Sequence, residues 1–293
     1  MTVGLNQIIT DVDEALDRFM PAENMFPAEI HRAVRYSVFA GGKRLRPLLL
    51  IKAAEIFGVP QMHAMPAACA LEMIHTYSLI HDDLPALDDD DYRRGRLANH
   101  KVFGEAMAIL AGDALLTLAF ETLATEASAY FPAATVVRLM AELSQAAGIA
   151  GMIGGQVVDL LSEGQPVNTD TLDYIHRHKT GKLFTCSIRS GAIMGGAASD
   201  ELQRLTSFAQ HLGLAFQIVD DILDITGDEA VLGKKVGSDL SKQKVTYPAL
   251  YGLEIAKDRA NQLLLSAEEE IRPFGNAASN LLQLAKLLVH RNY

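Results

Sequence analysis

Tryptophan is absent from this chain, cysteine occurs twice, and aromatic residues make up only 6% of it. Two cysteines cannot build the disulfide framework of a small secreted domain, and no Cys/His spacing of a metal site accompanies them. Cys69 and Cys186 each fall within an apolar helical pattern, which predicts buried, reduced thiols in a cytoplasmic protein. Positive charge is short as well: 26 Lys and Arg stand against 36 Asp and Glu, a formal net charge of −10. That balance disfavours nonspecific attraction to nucleic acid or to an anionic membrane surface. The N-terminus lacks the basic start and apolar core of a signal peptide, and no uncharged apolar run reaches the ~20 residues of a membrane span. No membrane insertion is expected. Strand-like alternation of useful length and Pro/Ser-rich linkers are also missing. With Gly and Pro sparse and Ala abundant, the chain reads as a single all-α domain over residues 1–293, long enough for a sizeable core.

What is present in excess is aspartate, and it is clustered. His81 to Arg94 carries six aspartates and two arginines directly after an apolar run, Ala67 to Ile80. The pattern returns at Asp220, Asp221 and Asp224, again after an apolar helical run. On a helix Asp220 and Asp224 share a face at i,i+4 spacing. Crowded carboxylates repel one another, so ionising them all requires solvent, basic neighbours or bound cations. Either cluster alone reads equally well as a solvated turn. Two clusters that each end an apolar helix instead suit Mg²⁺, which takes hard oxygen ligands and commonly bridges carboxylates to substrate phosphates.

Cations are scattered among helical segments. Gly41-Gly42-Lys43-Arg44-Leu45-Arg46-Pro47 puts three in a glycine-bearing turn before a helix, where an anion is favoured, although alone it also suits a basic surface turn. His75 lies seven residues before Asp82 and so on nearly the same helical face, which by itself does not place it in a site. Helical patterns are predicted over about 5–19, 27–40, 47–57, 104–127, 132–148, 174–196, 202–225, 249–272 and 279–290, besides the helix leading to Asp82. Gly148 to Gln156 lacks the spacing of a nucleotide-binding loop, and small residues at a close helix crossing explain it better. Gly227 to Ser241 is polar and Gly-containing and reads as a loop, expected to close over a bound anion. No Ser elbow or reactive Cys setting offers nucleophilic catalysis. The inventory suits metal-assisted departure of a phosphate group beside an apolar chamber that excludes water.

The sequence resembles the trans-isoprenyl diphosphate synthases. The matching pieces are Gly41 to Pro47, Asp82-Asp83-x4-Asp88 with Arg93-Arg94-Gly95, Gly151-Met152-x-Gly154-Gly155-Gln156, Lys179-Thr180-Gly181, Phe216-Gln217-x2-Asp220-Asp221-x2-Asp224, and Lys244-x-Thr246-Tyr247-Pro248. They stand in the family's order and span nearly the whole chain. The resemblance implies an all-α helical bundle around a deep central cavity, usually in a homodimer, that condenses an allylic diphosphate with isopentenyl diphosphate. It implies more than one Mg²⁺, held by Asp82, Asp88 and Asp220 with Asp83, Asp221 and Asp224 in support. It assigns Arg93, Lys179, Lys234 and Lys244 to the allylic diphosphate, and Lys43, Arg46, His75 and Arg94 to isopentenyl diphosphate. Thr180 and Gln217 would face the developing allylic cation. Tyr77 and Ser78, about 6–7.5 Å back along the helix from Asp82, would set product length at the cavity floor. One large and one small residue there fit fifteen carbons, a farnesyl product, with geranylgeranyl or geranyl as the alternatives.

Readings from other classes are weaker. The His81-Asp82 dyad suggests an HD-type metal phosphohydrolase, which wants further helical histidine ligands. Glu72-x-x-His75 suggests a di-iron carboxylate protein, which wants a second such motif. A non-catalytic prenyltransferase subunit has no reason to gather so many repelling carboxylates. A terpene cyclase would often carry an Asn/Ser/Glu pattern in place of the second Asp cluster.

Overall fold

The computed structural model of the protein describes residues 2–165, 168–226 and 245–291. Lys234, Lys244 and the expected loop Gly227 to Ser241 lie outside the described residues. Among the described residues 79% are helical and almost none lie in strands, as the sequence predicts. Its residues group into two compact units, Met1–Ile51 with Pro60–Met140, and Lys52–Val59 with Ala141–Tyr293.

The first unit opens with α1 (Thr2–Phe19) and α2 (Ala28–Val38), followed by the start of α3 (Leu45–Ile56) and by α4 (Gln61–Asp82). Val12, Ala15, Leu16, Ala33 and Val38 are buried, the inward stripe that a 3.6-residue period produces. Fourteen residues of α4 are buried, among them Ala67, Ala68, Ala70, Leu71, Met73 and Ile74, so this is the unit's central helix. It packs against α6 (Glu105–Thr125), whose Ala108, Ala111, Gly112, Leu115 and Ala119 face inward. Small side chains on the facing stripe permit the close approach of two helices of this length. Glu105–Ala129 and Ala133–Ser162 are long and apolar enough to cross a membrane by length and composition alone, although each carries acidic residues.

Between α4 and α6 the chain departs from the helical reading. Tyr92–Arg93 (β1) pairs antiparallel with Arg96–Leu97 (β2). Its turn residues Arg94 and Gly95 have φ of 53° and 74°, the left-handed pair that a tight hairpin turn requires. Two-residue strands are too short to leave an alternation signal in the sequence. The hairpin is pinned to α2: the Tyr36 hydroxyl donates to the Leu97 carbonyl (2.9 Å), and Arg96 lies 4.3 Å over the Tyr36 ring. Next comes α5 (Asn99–Phe103), whose Asn99 amide donates to the Ala33 carbonyl and the Ser37 hydroxyl, both at 2.8 Å.

The second unit holds the end of α7 (Ala133–Ala147), α8 (Met152–Ser162), α9 (Thr169–Ile175), a π-helical turn His176–Thr180, α10 (Gly181–Met194) and α11 (Ser199–Thr226). After the undescribed segment come α12 (Tyr247–Tyr251), α13 (Leu253–Ile271) and α14 (Ser279–Val289). The single helix expected over 174–196 is therefore broken at the π-turn. The core lies along α11, packed on α10 and α13, with Phe184 and Phe216 rings 4.8 Å apart. Cys69 and Cys186 are both buried free thiols, and burial pushes both well up from the ordinary thiol value.

Arg44 is a deeply buried charge of the first unit, at 2% exposure. Its guanidinium donates to Glu72 (2.7 Å), Asp13 (2.8 Å) and the Val38 carbonyl (2.7 Å). Glu72 is thus the partner of a buried arginine, which removes the di-iron reading. Breaking a buried pair strands its other charge. Arg44→Met should therefore cost about 3–5 kcal/mol in urea unfolding, whereas Arg44→Met with Glu72→Met should cost much less.

Candidate active site

Both aspartate clusters sit at the C-terminal ends of long helices, α4 and α11, where the helix dipole is negative and disfavours further negative charge. In the first unit α4 ends at Asp82 and the chain turns back at once. Leu84 and Asp83 donate to the His81 and Leu79 carbonyls, and the Asp88 N–H donates to the Asp82 carbonyl at 2.8 Å. That last bond closes the five-residue segment between them and brings the backbones of Asp82 and Asp88 together, both residues being half-buried. Asp83 takes a different role. It is 2% exposed and accepts from Arg93 Nε at 2.8 Å and from a second Arg93 nitrogen, while Arg93 also reaches Asp90 at 3.4 Å. Burial raises the Asp83 pKa, and the Arg93 guanidinium opposes that shift.

Two of the cations assigned to isopentenyl diphosphate lie near His75. Burial lowers the His75 pKa well below the ordinary imidazole value, reinforced first by Arg46, then Arg94. Arg94 donates to the Gly41 carbonyl, and a Cβ on Gly42 would meet its Cζ at 2.8 Å. Gly42 thus leaves the room that the Arg94 side chain occupies. Lys43 lies in the same turn between α2 and α3. Arg44, from the same basic turn, is buried in the core.

In the second unit Lys179 and Thr180 lie on the π-turn and Gln217 and Asp221 on α11, and all four line one cleft of about 710 Å³ including its open mouth. A π-turn inserts an extra residue into a helix and re-aims side chains, and such turns are frequent at functional sites. Gly155 makes it possible here: its Cβ would lie 2.7 Å from Lys179 Cα, so α8 crosses directly over the π-turn backbone. This is the close helix crossing that the small residues of 148–156 predict. Asp220 is half-buried, pairs with Arg291, and shares a face of α11 with Asp224, which is almost wholly buried. Asp221 accepts the Tyr247 N–H at 2.9 Å and lies 3.4 Å from His176 Nε2, tying the start of α12 to α11.

Comparisons with known proteins give the family and the fold. A polyprenyl synthetase family model matches residues 27–276. This chain belongs to that family. Farnesyl diphosphate synthase of Geobacillus stearothermophilus is 47% identical over 99% of this chain and 97% of its own. Geranylgeranyl diphosphate synthase of Cyanophora paradoxa is also 47% identical, over 96% of this chain and 93% of its own. Among solved structures, an FPP/GFPP synthase from Zymomonas mobilis superposes with a TM-score of 0.88 at 36% identity, covering 98% of each chain. The protein is a prenyltransferase of this all-α family.

Within the polyprenyl synthetase framework several residues escaped the sequence reading. Asp159 accepts from Lys179 Nζ at 2.7 Å and lines the same cleft. Arg291 pairs with Asp220 and lies 4.1 Å over the Phe216 ring. His176 is buried beside Asp221. None belongs to a periodic or spaced motif, and each meets its partner only through the fold. His81, the dyad residue of the phosphohydrolase reading, sits with Nε2 3.0 Å from the Ile109 carbonyl oxygen on α6. Tyr77 is buried edge-on to His81 with rings 5.8 Å apart, and the Ser78 hydroxyl donates to the His75 carbonyl at 2.8 Å.

The His75 environment has a sign that can be tested. Burial and the neighbouring arginines lower the folded-state pKa, so below about pH 6.5 the unfolded chain takes up this proton more readily than the folded chain does. Stability therefore falls as pH drops, by up to about 1.4 kcal/mol per unit from this residue. Urea unfolding of wild type and His75→Gln at pH 7 and pH 5.5 should show a shallower loss in the variant.

Proposed function

We propose that this chain makes farnesyl diphosphate by Mg²⁺-dependent head-to-tail condensation of isopentenyl diphosphate, first with dimethylallyl and then with geranyl diphosphate. The observation that carries the reading is the cleft lined together by Lys179, Thr180, Gln217 and Asp221, a cation and oxygen dipoles beside a carboxylate. The chain works as a single domain, in a homodimer, in the cytoplasm, without membrane insertion; its buried thiols suit a reducing compartment.

The donor set fits Mg²⁺: Asp82 and Asp88 are half-buried carboxylates whose backbones are joined by one hydrogen bond, and Asp220 is a half-buried carboxylate at a helix end. Asp82, Asp88 and Asp220 would hold it, with Asp83, Asp221 and Asp224 in support. When bound, more than one Mg²⁺ neutralises the diphosphate charge that develops as its bond to the allylic carbon breaks. Arg93, Lys179, Lys234 and Lys244 bind the allylic diphosphate. Asp159 steers Lys179, and Asp83 steers Arg93. Thr180 and Gln217 turn oxygen dipoles toward the carbon that becomes cationic. Lys43, Arg46, His75 and Arg94 hold isopentenyl diphosphate so that its double bond attacks that carbon. A carbon–carbon bond forms, the carbon–oxygen bond is lost, and the departing diphosphate takes the proton released from the isopentenyl unit. No protein base is required.

Labelled isopentenyl diphosphate supplied with each allylic starter, with products separated by chain length, tests the reading. Fifteen-carbon product is expected from both dimethylallyl and geranyl diphosphate, and excess chelator should abolish it. Asp82→Ala and Asp220→Ala should each lose about 10²–10³-fold in kcat/KM while keeping their helical circular dichroism. Phosphate release without condensation would favour a hydrolase. Lys179→Ala should weaken the allylic diphosphate more than isopentenyl diphosphate. Equal effects on the two dissociation constants would overturn that assignment.

Chain length is the finer point, because relatives of near-equal identity carry farnesyl and geranylgeranyl names. Tyr77 presents a large ring one turn before the cluster, and its hydroxyl has no partner among the described residues. Burial raises its pKa to about 12, so it stays a neutral phenol. Tyr77→Ala should move products from fifteen carbons to twenty or more. An unchanged profile from an active, folded variant would mean that Tyr77 only packs its helix, and that another side chain ends elongation.

A further inference from the structure

Directly after Asp88 the chain carries Asp89, Asp90 and Asp91, and the condensation described above uses none of them as ligands. Asp89, Asp91 and His100 each offer one ligand atom, two carboxylate oxygens and a ring nitrogen, all within 4.8 Å of one another. The carboxylates are exposed, whereas His100 is 6% exposed and neither of its ring nitrogens has a partner among the described residues. An imidazole buried that deeply and left unsatisfied pays its full desolvation cost, which a bound cation would offset. The hairpin explains why residues so separated meet. The Ala98 N–H donates to the Asp91 carbonyl at 2.8 Å, closing the ribbon two residues before His100. Asp89 is held at φ 50° with its N–H on the Leu84 carbonyl at 3.2 Å.

We propose that Asp89, Asp91 and His100 form a site for a divalent transition cation of the zinc class, separate from the all-carboxylate Mg²⁺ set. Mg²⁺ favours oxygen ligands alone, whereas an imidazole with carboxylates suits zinc and its neighbours. Ligand atoms of such an ion stand roughly 2.0–2.2 Å from it, so the exposed carboxylates must swing inward while buried His100 stays fixed. Lys101 Nζ lies 2.6 Å from Asp91 Oδ1 and competes for that oxygen, leaving Asp91 a second one. The bound ion ties the segment following Asp88 to α5, and through Asn99 to α2.

Zn²⁺ is the probe, added to the full chain in excess Mg²⁺ and followed by calorimetry and X-ray absorption. One Zn²⁺ that Mg²⁺ does not displace is expected, with the outer-shell scattering of a single imidazole. His100→Gln should erase that scattering. Asp89→Asn and Asp91→Asn, exposed changes that leave packing intact, should each weaken binding by at least about tenfold. Lys101→Ala should tighten it. Asp82→Ala with Asp220→Ala should leave it unchanged, so failure of the prenyltransferase reading and failure of this site are separately visible. Absence of Mg²⁺-resistant Zn²⁺, or binding indifferent to Asp89→Asn, Asp91→Asn and His100→Gln, would overturn the proposal.

Discussion

Carboxylates placed at the C-terminal end of an apolar helix meet two unfavourable fields, one from each other and one from the helix dipole. Both α4 and α11 end this way, and the neighbouring structure divides the clusters by burial. Asp83 and Asp221 turn inward, where Arg93 in one case and the Tyr247 N–H in the other receive them. Asp82, Asp88 and Asp220 stay half-buried at the edge of solvent. The inward members hold the local architecture, and of the members left at the edge of solvent Asp220 is paired with Arg291.

The basic side chains are sorted by the same criterion. Lys43, Arg44 and Arg46 leave one turn, yet Arg44 alone enters the core and binds Glu72, Asp13 and the end of α2. Arg94 reaches back to that turn from the hairpin, in the room Gly42 leaves beside it. A buried guanidinium therefore supports the turn on which the remaining cations stand. In the second unit the π-turn does comparable work: it breaks a helix between Ile175 and Gly181 and sends Lys179 and Thr180 to the cleft that Gln217 and Asp221 also line.

Much of this was legible in the sequence because it rests on short-range order. Helix positions follow the 3.6-residue period, and the limits of α6, α7 and α14 fall within a few residues of the predicted ones. The Asp82-x5-Asp88 and Asp220-x3-Asp224 spacings carry their geometry with them, since a turn or a helix face is decided by neighbouring residues. The hairpin at 92–97 and the π-turn at 176–180 were not legible, because two paired residues leave no alternation and one inserted residue barely disturbs a helical period.

The sequence by itself determined the all-α class, the two clusters and the residue types available for the chemistry. Only the tertiary structure decided which of several like residues is buried, and with whom. Arg44 rather than Lys43 or Arg46 meets Glu72, twenty-eight residues on; Asp159 meets Lys179; Arg291 meets Asp220, seventy-one residues earlier. His100 is brought beside Asp89 and Asp91 by a ribbon whose strands are two residues long. Such pairings depend on desolvation and on packing between elements distant in the chain, and neither quantity is written in local spacing.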